Sequence, residues 1–173
     1  MYYNGFALRE EAHFFDAYLA EGPYVRSGFS YGAIKAFNAT LKSEKRTDTL
    51  QLMSPAFFQS KNEKFKRLQR MGYQKNSAAY IANFTENCFL PHDMQDVHFA
   101  EHCFDELDEL LSYEWKSDEL RAVVARGTKI EVYLGSEDRI TDVEAAYAFF
   151  VPFATVYLIK GTNHFLQGEE EYE

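Results

Sequence analysis

Cysteine is scarce in this chain, where Cys88 and Cys103 are the only two and do not form a C-x-x-C pair. Two isolated thiols give no disulfide framework of the kind that small secreted domains use. No apolar run approaches the ~20 residues that a membrane-spanning helix needs. Arg9, Glu10 and Glu11 interrupt the N-terminal segment before the apolar core of a signal peptide is reached. We therefore expect a cytoplasmic protein that does not associate with a membrane.

Positive charge is also in short supply, with 18 Lys and Arg against 27 Asp and Glu and a formal net charge of −9. A nucleic-acid partner is not expected, because such proteins need a basic surface that displaces counterions. The length of 173 residues fits one domain over 1–173. Aromatic residues make up 17% of the chain, which indicates a bulky core or an apolar cleft lined by aromatic rings. A monomer is favoured.

Predicted strands and helices alternate along most of the chain. Strands are predicted at 1–3, 24–29, 49–53, 129–134 and 154–159, and helices at 9–20, 31–41 and 142–150. Between 57 and 126 the pattern is helical, with breaks near Gly72, Asn76, Pro91 and Ser117. Strands separated by helices predict an α/β fold with a mainly parallel sheet. The segment 56–127 interrupts the alternation and is expected to be a helical cap inserted over one end of the sheet.

Residues Gly28 to Gly32 read G-F-S-Y-G, a G-x-S-x-G pentapeptide between a predicted strand and a predicted helix. A sharp strand-to-helix turn there exposes the Ser30 hydroxyl above the sheet, and the small residues let strand and helix backbones approach. The pattern predicts a nucleophile elbow with Ser30 as the nucleophile. The alternative is a glycine-bracketed turn with no chemistry.

A serine hydroxyl needs a base to remove its proton, and the base needs an acid to orient it. Asp138 follows the strand 129–134, and His164 follows the last strand, so both lie at carboxyl ends of strands, where parallel sheets place active sites. Glu137 and Asp142 are rival acids. The predicted oxyanion donors are the backbone N–H groups of Tyr31, after the nucleophile, and Phe6, after the first strand.

The stretch His98 to His102 reads H-F-A-E-H, which matches the H-x-x-E-H pattern of one class of zinc proteases. Histidines four apart share a helix face and are able to bind zinc. No third ligand stands out, and a metal site leaves the order of Ser30, Asp138 and His164 unexplained. We expect this stretch to be a polar part of the cap helices, and we expect neither a metal nor an organic cofactor.

The order N-G-F, G-F-S-Y-G, G-S-E-D and T-N-H resembles the α/β-hydrolase superfamily over most of the chain. Asn4 stands where the superfamily often has histidine, and the chain starts at what resembles the third strand of the usual sheet. The resemblance implies a minimal α/β-hydrolase sheet of about five strands. The segments 27–36, 65–69 and 129–142 are also similar to the compact BioV-type pimeloyl-acyl carrier protein methyl ester esterases of biotin synthesis. That resemblance implies hydrolysis of a methyl ester at the far end of a carrier-bound acyl chain.

A carrier-protein partner finds some support in the residues themselves. Six basic residues stand against one acidic residue between 61 and 75, in an otherwise acidic chain. Acyl carrier proteins are acidic, so Lys64, Arg67 and Arg70 on an outward helix face are candidate docking residues. The alternative is an ordinary solvated face. Phe58, Phe65 and Leu68 are expected to face inward on the same helix, and Phe58, Phe65 and Tyr80 are candidate acyl-tunnel residues, with core packing as their alternative.

Three functions remain open at this point. The first is a carboxylesterase acting on pimeloyl-acyl carrier protein methyl ester. The second is a serine esterase or thioesterase for another acyl substrate, with the same three residues. The third is a non-catalytic module that binds acyl groups or carrier protein.

Overall fold

A five-stranded parallel sheet forms the centre of the computed structural model, which describes residues 1–169. Its strands, numbered in chain order with those of a second sheet, are β1 (Tyr2–Tyr3), β3 (Val25–Phe29), β4 (Thr49–Met53), β6 (Lys129–Gly135) and β7 (Thr155–Ile159), and their order in the sheet is β1-β3-β4-β6-β7. The two remaining strands, β2 (Leu8–Arg9) and β5 (His98–Phe99), pair antiparallel with each other. The predicted parallel sheet of about five strands is confirmed.

Within residues 1–169, six α-helices accompany the strands. They are α1 (Tyr31–Lys42), α2 (Glu63–Lys75), α3 (Ser77–Phe89), α4 (Phe104–Ser112), α5 (Ser117–Ala125) and α6 (Val143–Phe150), and a 3-10 helix covers Glu11–Phe15. Asparagine side chains fix where two of the helices begin: Asn62 accepts a hydrogen bond from Phe65 N–H and Asn76 accepts one from Ala79 N–H. Asn76 also separates α2 from α3, as predicted, whereas Gly72 lies inside α2 and does not break it.

The sheet has a core on each face, because successive strand residues point to opposite sides. In β4, Leu50 and Leu52 join the core beneath α1, together with the rings of Phe37 and Phe150. Met53 faces the other way and joins an aromatic core. That second core contains Phe15, Phe29, Phe89 and Phe165. The sheet is therefore packed on both of its faces. The catalytic candidates lie at the carboxyl ends of its strands.

Two sequence predictions about local structure are wrong. Residues 9–20 do not form one helix, since Leu8 and Arg9 pair with Phe99 and His98 as a small sheet and only 11–15 turn as a 3-10 helix. Glu10, at φ 60°, adopts a left-handed conformation that no helix interior allows. The stretch 98–102 is correspondingly extended at its start and is not helical.

Within residues 1–169, no helix combines the length and the apolar character that a bilayer crossing requires.

Candidate active site

A single residue, Ser30, separates β3 from α1, and its backbone is strained, with φ 54° and ψ −113°. The two flanking glycines are required by close approach of backbone to backbone. A Cβ on Gly28 would lie 2.1 Å from the carbonyl oxygen of Gly32, and a Cβ on Gly32 would lie 2.1 Å from that of Tyr3. The strand therefore turns into the helix within one residue, and Ser30 is left at the carboxyl edge of the sheet.

Ser30, His164 and Asp138 form a continuous hydrogen-bonded chain. His164 Nε2 lies 3.0 Å from Ser30 Oγ, and His164 Nδ1 lies 2.7 Å from Asp138 Oδ2. Because an ionised carboxylate only accepts, Nδ1 donates to Asp138, and Nε2 is left to accept the Ser30 hydroxyl proton. The exposed fractions are 6% for Ser30, 9% for Asp138 and 0% for His164. The three side chains are therefore shielded from bulk water, which suits proton transfer among them.

Asp138 is the acid that contacts His164, and the rival carboxylates are placed elsewhere. Asp138 Oδ1 accepts from the N–H groups of Ile140, at 2.7 Å, and Thr141, at 3.0 Å, which fixes the plane of the carboxylate. Glu137 is exposed. Asp142 caps α6 by accepting from Ala145 N–H at 3.1 Å. The orientation of Asp138 is thus set by its own loop as well as by His164.

The histidine loop is held by residues that the sequence did not single out. Asn163 is fully buried and its amide bonds three backbone groups, the carbonyl of Phe89 and the N–H groups of Phe165 and Gln167. Ser54, at φ 40°, donates from Oγ to the His164 carbonyl at 2.7 Å. A conformation this rare for serine, directly after a strand beside the elbow, is visible only in three dimensions.

The two predicted oxyanion donors lie at this site. Phe6 and Tyr31 are buried, their rings pack edge to face at 6.4 Å, and Phe6 lines the same small pocket as Ser30 and His164. Across residues 1–169, neither the Phe6 N–H nor the Tyr31 N–H has a protein acceptor. The Tyr31 hydroxyl donates to Glu109 of α4 at 2.7 Å, and burial raises its pKa. Both backbone N–H groups therefore lack a protein partner within residues 1–169.

The pocket at Ser30 shares a lining residue with a second cavity. The pocket at Ser30 is narrow, about 10 Å³, and a second cavity of about 340 Å³ lies beside α2 and α3. Phe84 lines both, and its ring stacks on that of Tyr80 at 6.1 Å. The larger cavity is lined by all three candidate tunnel residues, Phe58, Phe65 and Tyr80, as well as by the Arg139 side chain.

The basic segment 61–75 contains both exposed cations and a cation that is already paired with a carboxylate. Lys64 and Arg67 are exposed on α2, whereas Arg70 is bound through Nε to Asp108 at 2.6 Å. The expected inward orientation of Leu68 is wrong, because 53% of this side chain is exposed. The buried stripe of α2 runs through Lys66 and Tyr73, and Phe65 lies at its margin. Leu68 lies about 60° further around the helix from Phe65, on the side away from that stripe, and is therefore exposed.

The H-x-x-E-H pattern does not assemble a ligand set. His98 is paired with Glu10 at 2.6 Å, and His102 Nδ1 lies 2.7 Å from the Tyr73 hydroxyl. Over residues 1–169, no three His, Cys, Asp or Glu side chains lie close enough together to hold a metal ion.

No protein-family model matches the chain, and no curated protein matches it. Several solved structures match it. Carboxylesterase CesB from Bacillus subtilis is 16% identical with a TM-score of 0.59, covering 95% of this chain and 63% of that one. Bromoperoxidase from Bacillus anthracis is 15% identical with a TM-score of 0.62, covering 82% and 60%. Naproxen esterase from Bacillus subtilis is 18% identical with a TM-score of 0.56, covering 82% and 53%.

The chain therefore spans between 53% and 63% of the length of these three proteins. At this level of sequence identity, the structural similarity shows the fold and nothing further. Together with the parallel sheet and the strand-to-helix turn at Ser30, it shows that the chain has a compact α/β-hydrolase fold, as the sequence predicted.

Proposed function

We propose that this chain is a serine carboxylesterase and that its substrate is the methyl ester of pimeloyl-acyl carrier protein. The observation that carries the esterase proposal is the relay from Ser30 through His164 to Asp138, with hydrogen bonds of 3.0 and 2.7 Å. Two of the similar structures are named as esterases, which supports the same reaction class. The substrate proposal depends on the sequence resemblance, the larger cavity and the charge of α2.

The reaction proceeds by two acyl transfers. In the first, Ser30 Oγ attacks the ester carbonyl while His164 Nε2 accepts the hydroxyl proton and Asp138 stabilises the imidazolium. The N–H groups of Phe6 and Tyr31 bind the oxyanion, and His164 returns the proton to the departing alkoxide, which leaves as methanol. In the second, water attacks the acyl-enzyme, His164 accepts its proton, and the free carboxylic acid leaves as Ser30 is reprotonated.

The larger cavity supports an acyl substrate. Its volume of about 340 Å³ lies in the range of pockets that hold small ligands, and Phe58, Phe65 and Tyr80 provide apolar walls. Phe84 is shared with the pocket at Ser30, so an acyl chain whose ester lies at Ser30 extends past this ring. We expect displacement of the Phe84 ring to join the two spaces.

The exposed face of α2 supports an acidic carrier-protein partner. Lys64 and Arg67 supply positive charge there, and Leu68 and Met71, which are 53% and 56% exposed, supply apolar contact on the same helix. Cations around exposed apolar side chains complement an acidic partner that has an apolar contact of its own. Arg70 contributes less to docking, because Asp108 already neutralises it.

The first experiment measures hydrolysis of pimeloyl-acyl carrier protein methyl ester by the wild-type protein and by Ser30→Ala. Turnover by the wild type that is lost in Ser30→Ala is the expected result. Cleavage of nitrophenyl esters without cleavage of the carrier-bound ester would retain the esterase and overturn the substrate. A thioesterase would release the whole acyl chain from the carrier. No turnover of any of these substrates would favour a non-catalytic binding module.

The second experiment reverses charge on α2. The double variant Lys64→Glu, Arg67→Glu is expected to raise KM for the carrier-bound ester by about tenfold, while nitrophenyl ester hydrolysis stays unchanged. Lys42→Glu, Lys45→Glu is the matched control, since it makes the same charge change on another surface. Equal loss with both double variants, or equal loss on both substrates, would contradict docking at α2.

A further inference from the structure

The loop after β1 is anchored by a buried carboxylate, that of Glu11. This side chain belongs to a residue only 1% exposed, and Oε1 accepts hydrogen bonds from Gly5 N–H at 2.7 Å and from the Tyr2 hydroxyl at 3.1 Å. Gly5 immediately precedes Phe6, whose N–H is the second oxyanion donor in the proposed function. Glu11 therefore binds the loop one peptide before the donor.

Both peptide planes at Gly5 are held. The plane between Asn4 and Gly5 is held by the bond from Gly5 N–H to Glu11. The plane between Gly5 and Phe6 is held by Leu8 N–H, which donates to the Gly5 carbonyl at 3.2 Å. In a trans peptide the carbonyl and the N–H point in opposite directions. The contact with Leu8 therefore turns Phe6 N–H the other way, and it has no protein acceptor among residues 1–169.

This loop needs an anchor because its backbone is strained. Ala7 and Glu10 both have positive φ, 59° and 60°, although neither is glycine. Non-glycine residues keep this conformation only where surrounding contacts hold them in it. β1 supplies little restraint, since it has two paired residues.

Burial of the Glu11 carboxylate also has a free-energy cost that its hydrogen bonds do not fully offset. Its second oxygen, Oε2, is buried without a hydrogen-bond partner in the part of the chain that the structure describes. Burial raises the pKa of the carboxyl group above its ordinary value. An unsatisfied buried oxygen destabilises a fold, so its presence beside the oxyanion loop favours a role in activity.

We infer that Glu11 is a positioning residue for ester hydrolysis, which holds the Gly5 peptide so that Phe6 N–H faces the reacting carbonyl. The inference rests on the proposed function, because it requires Phe6 to be an oxyanion donor. Glu11 does not touch the substrate. Its loss therefore lowers kcat and leaves KM nearly unchanged, because the donor acts on charge that develops in the transition state.

The test compares four proteins on a nitrophenyl ester: wild type, Glu11→Leu, Glu11→Gln and Tyr2→Phe. Rates are divided by the number of sites that a fluorophosphonate labels, so that unfolded protein does not count. Glu11→Leu removes the acceptor and is expected to lose roughly 10- to 100-fold in kcat, less than the loss of a whole donor. Glu11→Gln keeps a carbonyl acceptor for Gly5 N–H and is expected to stay within about threefold of wild type.

Tyr2→Phe is the matched control, because it removes the other hydrogen bond to the same oxygen and leaves Gly5 N–H bonded. It is expected to retain kcat within about twofold. Where Glu11→Leu fails to fold, Glu11→Asp replaces it, since the shorter side chain withdraws the carboxylate from Gly5 and should show the same loss in kcat. Wild-type kcat in Glu11→Leu or Glu11→Asp, or equal losses in Tyr2→Phe, would overturn the positioning role and leave the esterase standing. No turnover by the wild type would overturn both.

Discussion

Asp138→Asn replaces one carboxylate oxygen by an amide nitrogen and leaves the shape of the side chain unchanged. The surrounding loop decides which way the amide points. Oδ1 already accepts from the N–H groups of Ile140 and Thr141, so the amide oxygen must stay there and the NH₂ group must face His164. Nδ1 of His164 then has to accept, which places the ring proton on Nε2, facing Ser30.

The magnitude follows from this inverted tautomer. With a proton on Nε2, His164 has no lone pair directed at the Ser30 hydroxyl and does not act as its base. The same change in a Ser-His-Asp protease lowers kcat by a factor of about 10⁴, which corresponds to about 5 kcal/mol in the activation free energy. We expect a loss of that size here, because the proposed mechanism gives Asp138 the same two functions of orienting His164 and stabilising the imidazolium.

The assay is steady-state hydrolysis of a nitrophenyl ester, with the unfolding midpoint in urea measured for each variant. Glu137→Gln is the control, because it makes the same chemical change one residue away on an exposed side chain. It should retain wild-type kcat. The relay would be refuted if a folded Asp138→Asn protein kept more than about a tenth of wild-type kcat, or if Glu137→Gln lost as much.

Three further predictions concern the surroundings of the relay. Ser54→Ala leaves the His164 carbonyl buried and unpaired, so urea unfolding should show a loss of about 1–3 kcal/mol, and an unchanged free energy of unfolding would contradict it. Phe84→Ala removes the one ring that lines both cavities among the described residues. It should raise kcat/KM for octanoyl over acetyl esters by about tenfold, whereas an unchanged ratio would place the acyl chain elsewhere. Burial raises the pKa of Glu11, so its contribution to stability is full below the ordinary carboxyl pKa and is lost as pH rises through the raised pKa. The free energy of unfolding of the wild type should therefore fall relative to that of Glu11→Gln between acidic and neutral pH. Parallel curves of unfolding free energy against pH would refute this.

The fold and the proximity of Ser30, Asp138 and His164 were predictable because each follows from a local sequence pattern. Short β-rich segments predicted the sheet, and Ser30, Asp138 and His164 each follow a strand at its carboxyl end. Parallel strands bring those ends to one edge, so chain position alone implied proximity. Sequence reasoning thus worked where spatial position follows from strand order.

Other features depend on contacts between distant segments and cannot be inferred from a local sequence pattern. Leu8 and Arg9 become a strand because they pair with residues 98–99, and this contact overrides the helical spacing of 9–20. Ser54 and Asn163 look like ordinary loop residues until their partners across the fold are known. The exposure of Leu68 likewise depends on how α2 lies against its neighbours, and its spacing from Phe65 did not predict that.

The short first strand explains why a small sheet needs an extra anchor at the oxyanion loop. Ser30, Asp138 and His164 follow strands that pair over five residues with a neighbour, so the sheet fixes the ends of β3, β6 and β7 directly. β1 pairs through two residues only and cannot fix the loop after it in the same way. What restrains that loop lies outside the sheet: α1 packs against its backbone at Gly32, and Glu11 bonds Gly5 N–H. Strand pairing therefore fixes Ser30, His164 and Asp138, whereas the proposed second oxyanion donor, Phe6 N–H, depends on contacts outside the sheet, of which the Glu11 carboxylate is one.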